Sequence, residues 1–98
     1  MFEFEKYQTE INKICKKYDV LTLTAFGSSL SDNFKVDSDV DFLLELDKAE
    51  NGLVRYMKIK FELEKLFTRP VDIVMPKAIK NERIKNYIFS RTKKIYEA

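Results

Sequence analysis

The chain has no histidine or tryptophan, and only one cysteine, two glycines and two prolines among its 98 residues. The absence of histidine excludes Ser-His-Asp and Cys-His catalysis and histidine-ligated zinc sites. A single cysteine excludes an internal disulfide framework and a cysteine-rich zinc site, and we expect Cys15 to be a small buried core residue. Any chemistry must therefore come from carboxylates, hydroxyls, lysines and arginines.

An excess of charge of one sign and long apolar runs are also missing. Eighteen Lys and Arg against 16 Asp and Glu give a net charge of +2, which is too small to indicate a nucleic-acid-binding protein. No apolar run approaches the roughly 18 residues of a membrane helix, and the acidic start is not a secretory signal. The sequence therefore predicts a cytoplasmic protein, with no membrane contact and a single folded domain over residues 1–98.

Changes in hydrophobic period divide the chain into six predicted elements. Helices have apolar steps of three and four residues, whereas strands alternate. In chain order we predict a helix over 4–18, strands over 20–26 and 39–46, a helix over 53–67, a strand over 71–75 and a helix over 81–96. This order predicts an α/β fold in which helices cover a small sheet.

Two carboxylates stand out because they open an otherwise apolar strand. Asp39 and Asp41 are separated by one residue, so they project from one face about 6.5–7 Å apart. Asp72 is a third carboxylate inside an apolar strand. If the two strands are neighbours, the three side chains converge and can bind Mg²⁺, which takes one or two carboxylates plus substrate phosphates. An isolated Asp-x-Asp is also compatible with solvated side chains that cap a turn.

Gly27 and Ser28 end the strand that precedes these carboxylates. Glycine lets the backbone approach a ligand closely, and serine offers a hydroxyl and an N–H. A helix that begins just afterwards would add free N–H groups suited to phosphate. Taken alone, the pair indicates only a turn after a strand.

The combination is specific, because Gly27-Ser28 is followed by ten residues and then by Asp39-x-Asp41. This resembles the signature of the DNA polymerase β-like nucleotidyltransferases, in which a third carboxylate lies on a later strand, as Asp72 does. The short chain, with a helix ahead of the signature strand, resembles the minimal (MNT-type) members, which are often paired with a HEPN-domain partner. The resemblance covers about residues 20–75.

The resemblance implies a small mixed β-sheet flanked by helices, with a closing helix in the last 14 residues. Asp39 and Asp41 would hold Mg²⁺, and Asp72 would complete a two-metal site and help to deprotonate the acceptor hydroxyl. Gly27 and Ser28 would bind the triphosphate of a nucleotide, with ATP the expected donor of a nucleoside monophosphate and pyrophosphate the leaving group. Some members act as antitoxins that adenylylate a tyrosine of a HEPN ribonuclease toxin.

The sequence departs from this family at one point. Many minimal members have an arginine shortly after Gly-Ser, where this chain has Ser29, Leu30 and Ser31. The nearest basic residue of the loop is Lys35, which cannot make bidentate phosphate contacts. We therefore expect either weaker phosphate binding or a contribution from Arg69 beside the third strand.

A second hypothesis is a non-catalytic binding module that neutralises a partner protein by contact. Aromatic residues make up 13% of the chain and include eight phenylalanines, more than a small core needs, so some could form an interface. A DNA-binding regulator is disfavoured, because no recognition-helix turn or basic stripe is present. The sequence leaves open the acceptor, the nucleobase and whether the protein forms a homo-oligomer.

Overall fold

The computed structural model describes residues 1–32, 34–35 and 38–98. After a 3-10 turn (Phe4–Tyr7), the elements in chain order are α1 (Gln8–Lys17), β1 (Val20–Phe26), β2 (Val40–Leu46), α2 (Gly52–Phe67), β3 (Val71–Val74), α3 (Glu82–Phe89) and β4 (Thr92–Glu97). The predicted bounds of the three strands and of the second helix agree with β1, β2, β3 and α2 to within one residue. None of the helices in the described part of the chain is long and apolar enough to cross a bilayer.

The four strands form one sheet in the order β3-β2-β1-β4. Strand β1 is antiparallel to both of its neighbours, whereas β2 and β3 are parallel and are joined through α2. The sheet is therefore mixed, and the predicted fold class is confirmed.

The main core lies between one face of the sheet and helices α1 and α2. Ile11 and Cys15 of α1 and Ile59 and Leu63 of α2 are fully buried there. The strand residues beneath them alternate with residues of the opposite face, as the period of two predicts: Leu23, Ala25, Val40, Phe42 and Leu44. Burial raises the pKa of the Cys15 thiol to about 12, so this side chain is an inert core residue, as predicted.

The second face of the sheet is only partly covered. Phe26 of β1, Leu43 of β2 and Ile88 of α3 form a small cluster there, against which Val74 and Ile79 pack. Asp41 shares this face with Leu43, since alternate residues of a strand point the same way. The predicted site therefore lies on the side of the sheet opposite the main core.

The prediction of a helix over residues 81–96 is wrong in its second half, and so is the resemblance of the tail to a closing helix. Helix α3 ends at Phe89, and β4 begins at Thr92. Strand β4 pairs with the free edge of β1, whose N–H and C=O groups would otherwise lack partners. The predicted start of this helix is confirmed, because α3 begins at Glu82. The Asn81 side chain accepts hydrogen bonds from the backbone N–H groups of Arg83 and Ile84 and so caps the helix.

Candidate active site

The register of β2 and β3 places two of the three predicted acidic residues side by side. Asp41 of β2 pairs with Asp72 of β3 in the parallel ladder, and on its other side Asp41 is opposite Phe26 of β1. Neighbouring strands are about 4.8 Å apart, so the two carboxylates are adjacent on one face. Asp39 directly precedes β2. The strand that carries Asp72 is therefore a direct neighbour of the strand that carries Asp41, as the predicted site requires.

The environment of Asp41 disfavours its charged form. The side chain is half-buried, and this burial raises its pKa to about 6, with the charges of Asp72 and then Asp39 adding to the effect. Asp39 and Asp72 are exposed. The charges of Asp72 and Asp39 therefore repel that of Asp41, which is the situation that a bound cation relieves.

Gly27 is required where it stands for two reasons. Its φ is +76°, in the left-handed region that side chains disfavour, and an added Cβ would lie 2.8 Å from Oδ2 of Asp41. The strand-ending turn therefore closes directly onto the carboxylate.

The short helix expected after β1 is a 3-10 turn, Gly27–Leu30. Ser28 is exposed, whereas Ser29 is buried and its hydroxyl donates to the Phe26 carbonyl. Of these two serines, Ser28 is therefore the one that is accessible to a ligand.

Arg69 has a structural contact that the sequence did not predict. Its guanidinium lies over the rings of Phe2 and Phe34, 5.0 and 4.7 Å from their centroids. It also donates to the backbone carbonyls of Lys35 and Ser38 at 3.4 and 3.3 Å. These contacts hold Lys35 and Ser38 to the residue that precedes Pro70 and β3.

The two basic residues considered for phosphate binding do not line the cavity at the Gly27-Ser28 turn. Lys35 and Arg69 together line a cavity formed with the N-terminal residues. A different cavity, of about 340 Å³, adjoins the Gly27 turn, and its walls are formed by Gly27, Ser28, Ser31, Tyr87, Ser90 and Arg91. Arg69, which we expected to contribute to phosphate binding from beside the third strand, lines the N-terminal cavity and not the cavity at the Gly27 turn.

Three of the residues that line this cavity, Tyr87, Ser90 and Arg91, were not predicted from the sequence. A helix over 81–96 gave no reason to place them near the site. The signal that could have found them is the content of β-branched and aromatic residues after Arg91, namely Thr92, Ile95 and Tyr96, which is typical of a strand. A strand there must pair with a free sheet edge, and pairing with β1 brings Arg91 beside Gly27.

The carboxylates can hold a divalent cation together with a ligand. Among residues 1–32, 34–35 and 38–98, no three Asp, Glu or Cys side chains are grouped closely enough to hold a metal ion by themselves. Mg²⁺ does not need such a group, because it is commonly bound by one or two carboxylates plus waters and phosphates. The adjacent Asp41 and Asp72 fit this type of site.

The chain belongs to the nucleotidyltransferase domain family, which it matches over residues 9–95. It is 30% identical over 88 residues to a Methanocaldococcus jannaschii protein provisionally named as a protein adenylyltransferase, with 88% of each chain covered. The family and enzyme class predicted from the sequence are thereby confirmed.

Two solved structures share the fold. One is a protein provisionally identified as a minimal nucleotidyltransferase, with a TM-score of 0.73, 21% identity and coverage of 93% of this chain and 94% of the other. The second is a tri-AMPylated Shewanella oneidensis HEPN toxin in complex with an MNT antitoxin, with a TM-score of 0.62, 15% identity and coverage of 98% and 74%. The polymerase β-like nucleotidyltransferase fold is confirmed.

Replacing Asp41 with asparagine is expected to stabilise the fold, and this gain depends on pH. The folded chain binds the Asp41 proton at a pKa of about 6, against an ordinary value of 3.8. Protonation therefore stabilises the fold fully below pH 3.8, and this contribution is lost as the pH rises through about 6. In chelator at pH 8 we expect Asp41→Asn to raise the free energy of unfolding by about 1 kcal/mol, since solvent screens part of the effect.

Urea titrations of both proteins at pH 8 and pH 4 test this prediction. The gain should shrink towards zero at pH 4. The matched control is Asp47→Asn, at an exposed turn residue, which should change stability equally at both values. An Asp41→Asn variant that is less stable than the wild type at pH 8 would show that Asp41 caps a turn instead.

Proposed function

We propose that the chain is a Mg²⁺-dependent protein adenylyltransferase that transfers AMP from ATP to a tyrosine hydroxyl of a HEPN-type partner, and so acts as an antitoxin. The observation that carries the proposal is the placement of the Asp41–Asp72 pair against the Gly27-Ser28 turn. The archaeal relative named as an adenylyltransferase and the AMPylated HEPN toxin of the related complex support the donor and the acceptor.

In this mechanism the acceptor oxygen forms a bond to the α-phosphorus of ATP, the bond to the β-phosphate breaks, and pyrophosphate leaves. Asp39 and Asp41, with Asp72, would hold Mg²⁺, which when bound neutralises phosphate charge. Asp72 accepts the proton of the incoming hydroxyl, a role that suits its exposed position beside Asp41. Gly27 lets the turn approach the phosphates, and Ser28 donates its hydroxyl to them.

An apolar stripe on the outer side of α2 supports a protein partner. Leu53, Met57 and Phe61 follow one another at four-residue spacing, so they share one side of the helix. Their exposed fractions are 72%, 61% and 66%. A contiguous exposed apolar surface on a small protein commonly marks an interface, and aromatic residues are enriched there.

The same stripe also favours the second candidate, a module that neutralises its partner by contact alone. The experiment that separates the two first establishes whether a neighbouring gene encodes a HEPN-type protein, and then uses that protein as the partner. We expect its intact mass to rise by whole AMP units when the chain, ATP and Mg²⁺ are all present. Inhibition of the partner with no change in its mass, and equally by Asp41→Asn, would support the contact mechanism and contradict transfer.

Replacing Phe61 with glutamate is expected to abolish association with the partner. A charge in the centre of an apolar contact must be desolvated without a counter-ion, which costs several kcal/mol, so the dissociation constant should rise at least about 100-fold. The control is Lys58→Glu, which makes the same new side chain one turn away. Calorimetric titration with the partner measures the effect, and unchanged affinity in Phe61→Glu would place the interface elsewhere.

Three further predictions from the sequence stay predictions. These are a single nucleotidyltransferase domain over residues 1–98, a cytoplasmic location, and a surface whose charge gives no indication of nucleic-acid binding. Whether the chain also forms a homo-oligomer is an outcome that the same titrations would reveal.

A further inference from the structure

We propose that Arg91 binds the phosphates of the nucleotide and replaces the arginine that this chain lacks after Gly27-Ser28. This inference rests on the proposed nucleotidyltransferase function and adds a phosphate ligand from a distant part of the chain. The sequence motif ends at Asp72, so Arg91 lies outside it. The residue comes to the site through the fold, at the corner between α3 and β4.

The sheet register places Arg91 at the site. Phe26 is opposite Asp41 on one side and opposite Thr92 of β4 on the other. The next residue after Phe26 is Gly27, and the residue before Thr92 is Arg91, so both leave the sheet at the same end of this antiparallel pair. Gly27 therefore lies between Asp41 on one side and Arg91 on the other.

The cavity at this end is lined by Arg91 together with the Gly27-Ser28 turn. Its volume of about 340 Å³ is within the range of small-molecule sites. The cavity wall carries the Arg91 guanidinium, which suits an anion. Asp41, which suits a cation, lies against Gly27 on the β2 side of the same turn, with Asp72 as its strand neighbour. A nucleoside triphosphate with its cation presents both charges at once, and it is therefore the ligand class that matches this arrangement.

Arg91 is also available for a ligand, unlike two of the other arginines. The Arg55 guanidinium donates to backbone carbonyls of the turns around β1 and β2, and Arg69 is bound to the loop before β2. The Arg91 side chain is exposed and has no hydrogen bond or ion pair with the described residues. A guanidinium can form two parallel hydrogen bonds to phosphate oxygens, which the lysine of the loop cannot do.

The test is binding, measured without turnover. Calorimetry with α,β-methylene ATP in millimolar Mg²⁺, and separately with inorganic tripolyphosphate, compares the wild type with Arg91→Met and Arg91→Lys. The matched control is Arg83→Met. Arg83 belongs to α3, is exposed, and has no side-chain hydrogen bond or ion pair with the described residues. Thermal melts of all variants confirm that each is folded.

We expect Arg91→Met to weaken both ligands by about 10- to 100-fold, the value of a charge-assisted hydrogen bond or a bidentate pair. Arg91→Lys should recover part of the loss, because it keeps the charge without the fork. Arg83→Met should change affinity by less than about twofold, since Arg83 is exposed and is not among the residues that line the cavity, and solvent screens such a charge. The salt dependence of binding should become shallower in Arg91→Met alone.

Different failures have different meanings. If Arg91→Met binds the nucleotide as tightly as the wild type, or loses ATP-analogue affinity but keeps its tripolyphosphate affinity, Arg91 is not a phosphate ligand and the inference is overturned. Those results leave the proposed function in place, because the wild type still binds nucleotide. If the folded wild type binds neither ligand, the proposed function itself fails.

Discussion

Asp41→Asn will lose at least about 100-fold in the rate of AMP transfer while remaining folded. Phosphoryl transfer depends on positioning and on stabilising the charge that develops on the transferred group, and the loss of one electrostatic contact in such a site costs roughly 3–4 kcal/mol. The amide keeps the size of the carboxylate but removes the charge beside Asp72. The loss of rate should therefore accompany the gain in stability expected above, which excludes unfolding as its cause.

The measurement is the single-turnover rate of label transfer from ATP to the partner. Asp47→Asn makes the same chemical change at an exposed turn, and its rate should equal that of the wild type. A wild-type transfer rate in Asp41→Asn would show that Asp41 has no role in the reaction. An equal loss of transfer rate in Asp47→Asn would indicate a general charge effect.

Gly27→Ala will lower both stability and activity. The methyl group would sit 2.8 Å from Oδ2 of Asp41, and the backbone φ of +76° disfavours any side chain. The left-handed conformation costs about 1–2 kcal/mol, and displacement of the carboxylate adds to this. We expect the melting temperature to fall by roughly 8 °C or more and the transfer rate to fall at least about 100-fold, since small misplacements in an active site are costly.

Gly52→Ala is the matched control. Gly52 begins α2, and an added Cβ there would meet no atom within 4 Å. We expect equal or slightly higher stability, up to about 1 kcal/mol, because alanine loses less backbone entropy on folding. A similar loss in both variants would contradict the site-specific explanation.

A double-mutant cycle separates the two causes at Gly27. In an Asp41→Ala background the crowded oxygen is gone, so Gly27→Ala should cost only the backbone strain. The difference between the two costs is the coupling energy between the residues, which for neighbours is about 0.5–3 kcal/mol. A coupling of zero would show that the glycine is needed for its backbone alone.

Much of the site could be predicted because its signals are local. Alternation in β2 places Asp41 on the face away from the main core, and an apolar segment interrupted by Asp72 indicates a second strand that carries a carboxylate. Gly27 marks the end of β1, since it takes a conformation that few other residues tolerate. The alternation of side chains in β2 and the positive φ of Gly27 each depend only on a short stretch of chain. They can therefore be predicted without knowledge of the tertiary structure.

The parts that could not be predicted depend on partners far away in the chain. The segment from Thr92 is a strand because β1 offers it a free edge, and a helix-like spacing of Ile84, Ile88 and Ile95 conceals this. Arg55 is half-buried, and its guanidinium donates to turns that the sequence does not show to be adjacent. The placement of Arg91 beside Gly27 likewise follows only from the register of β4.

The most direct test of the central claim uses ATP labelled at one phosphate at a time. The chain is incubated with Mg²⁺, a HEPN-type partner protein, and ATP labelled at either the α- or the γ-phosphate. We expect label on the partner from the α-phosphate only, dependent on Mg²⁺ and absent with Asp41→Asn. Label from the γ-phosphate, or a partner that is inhibited without gaining any label, would contradict it.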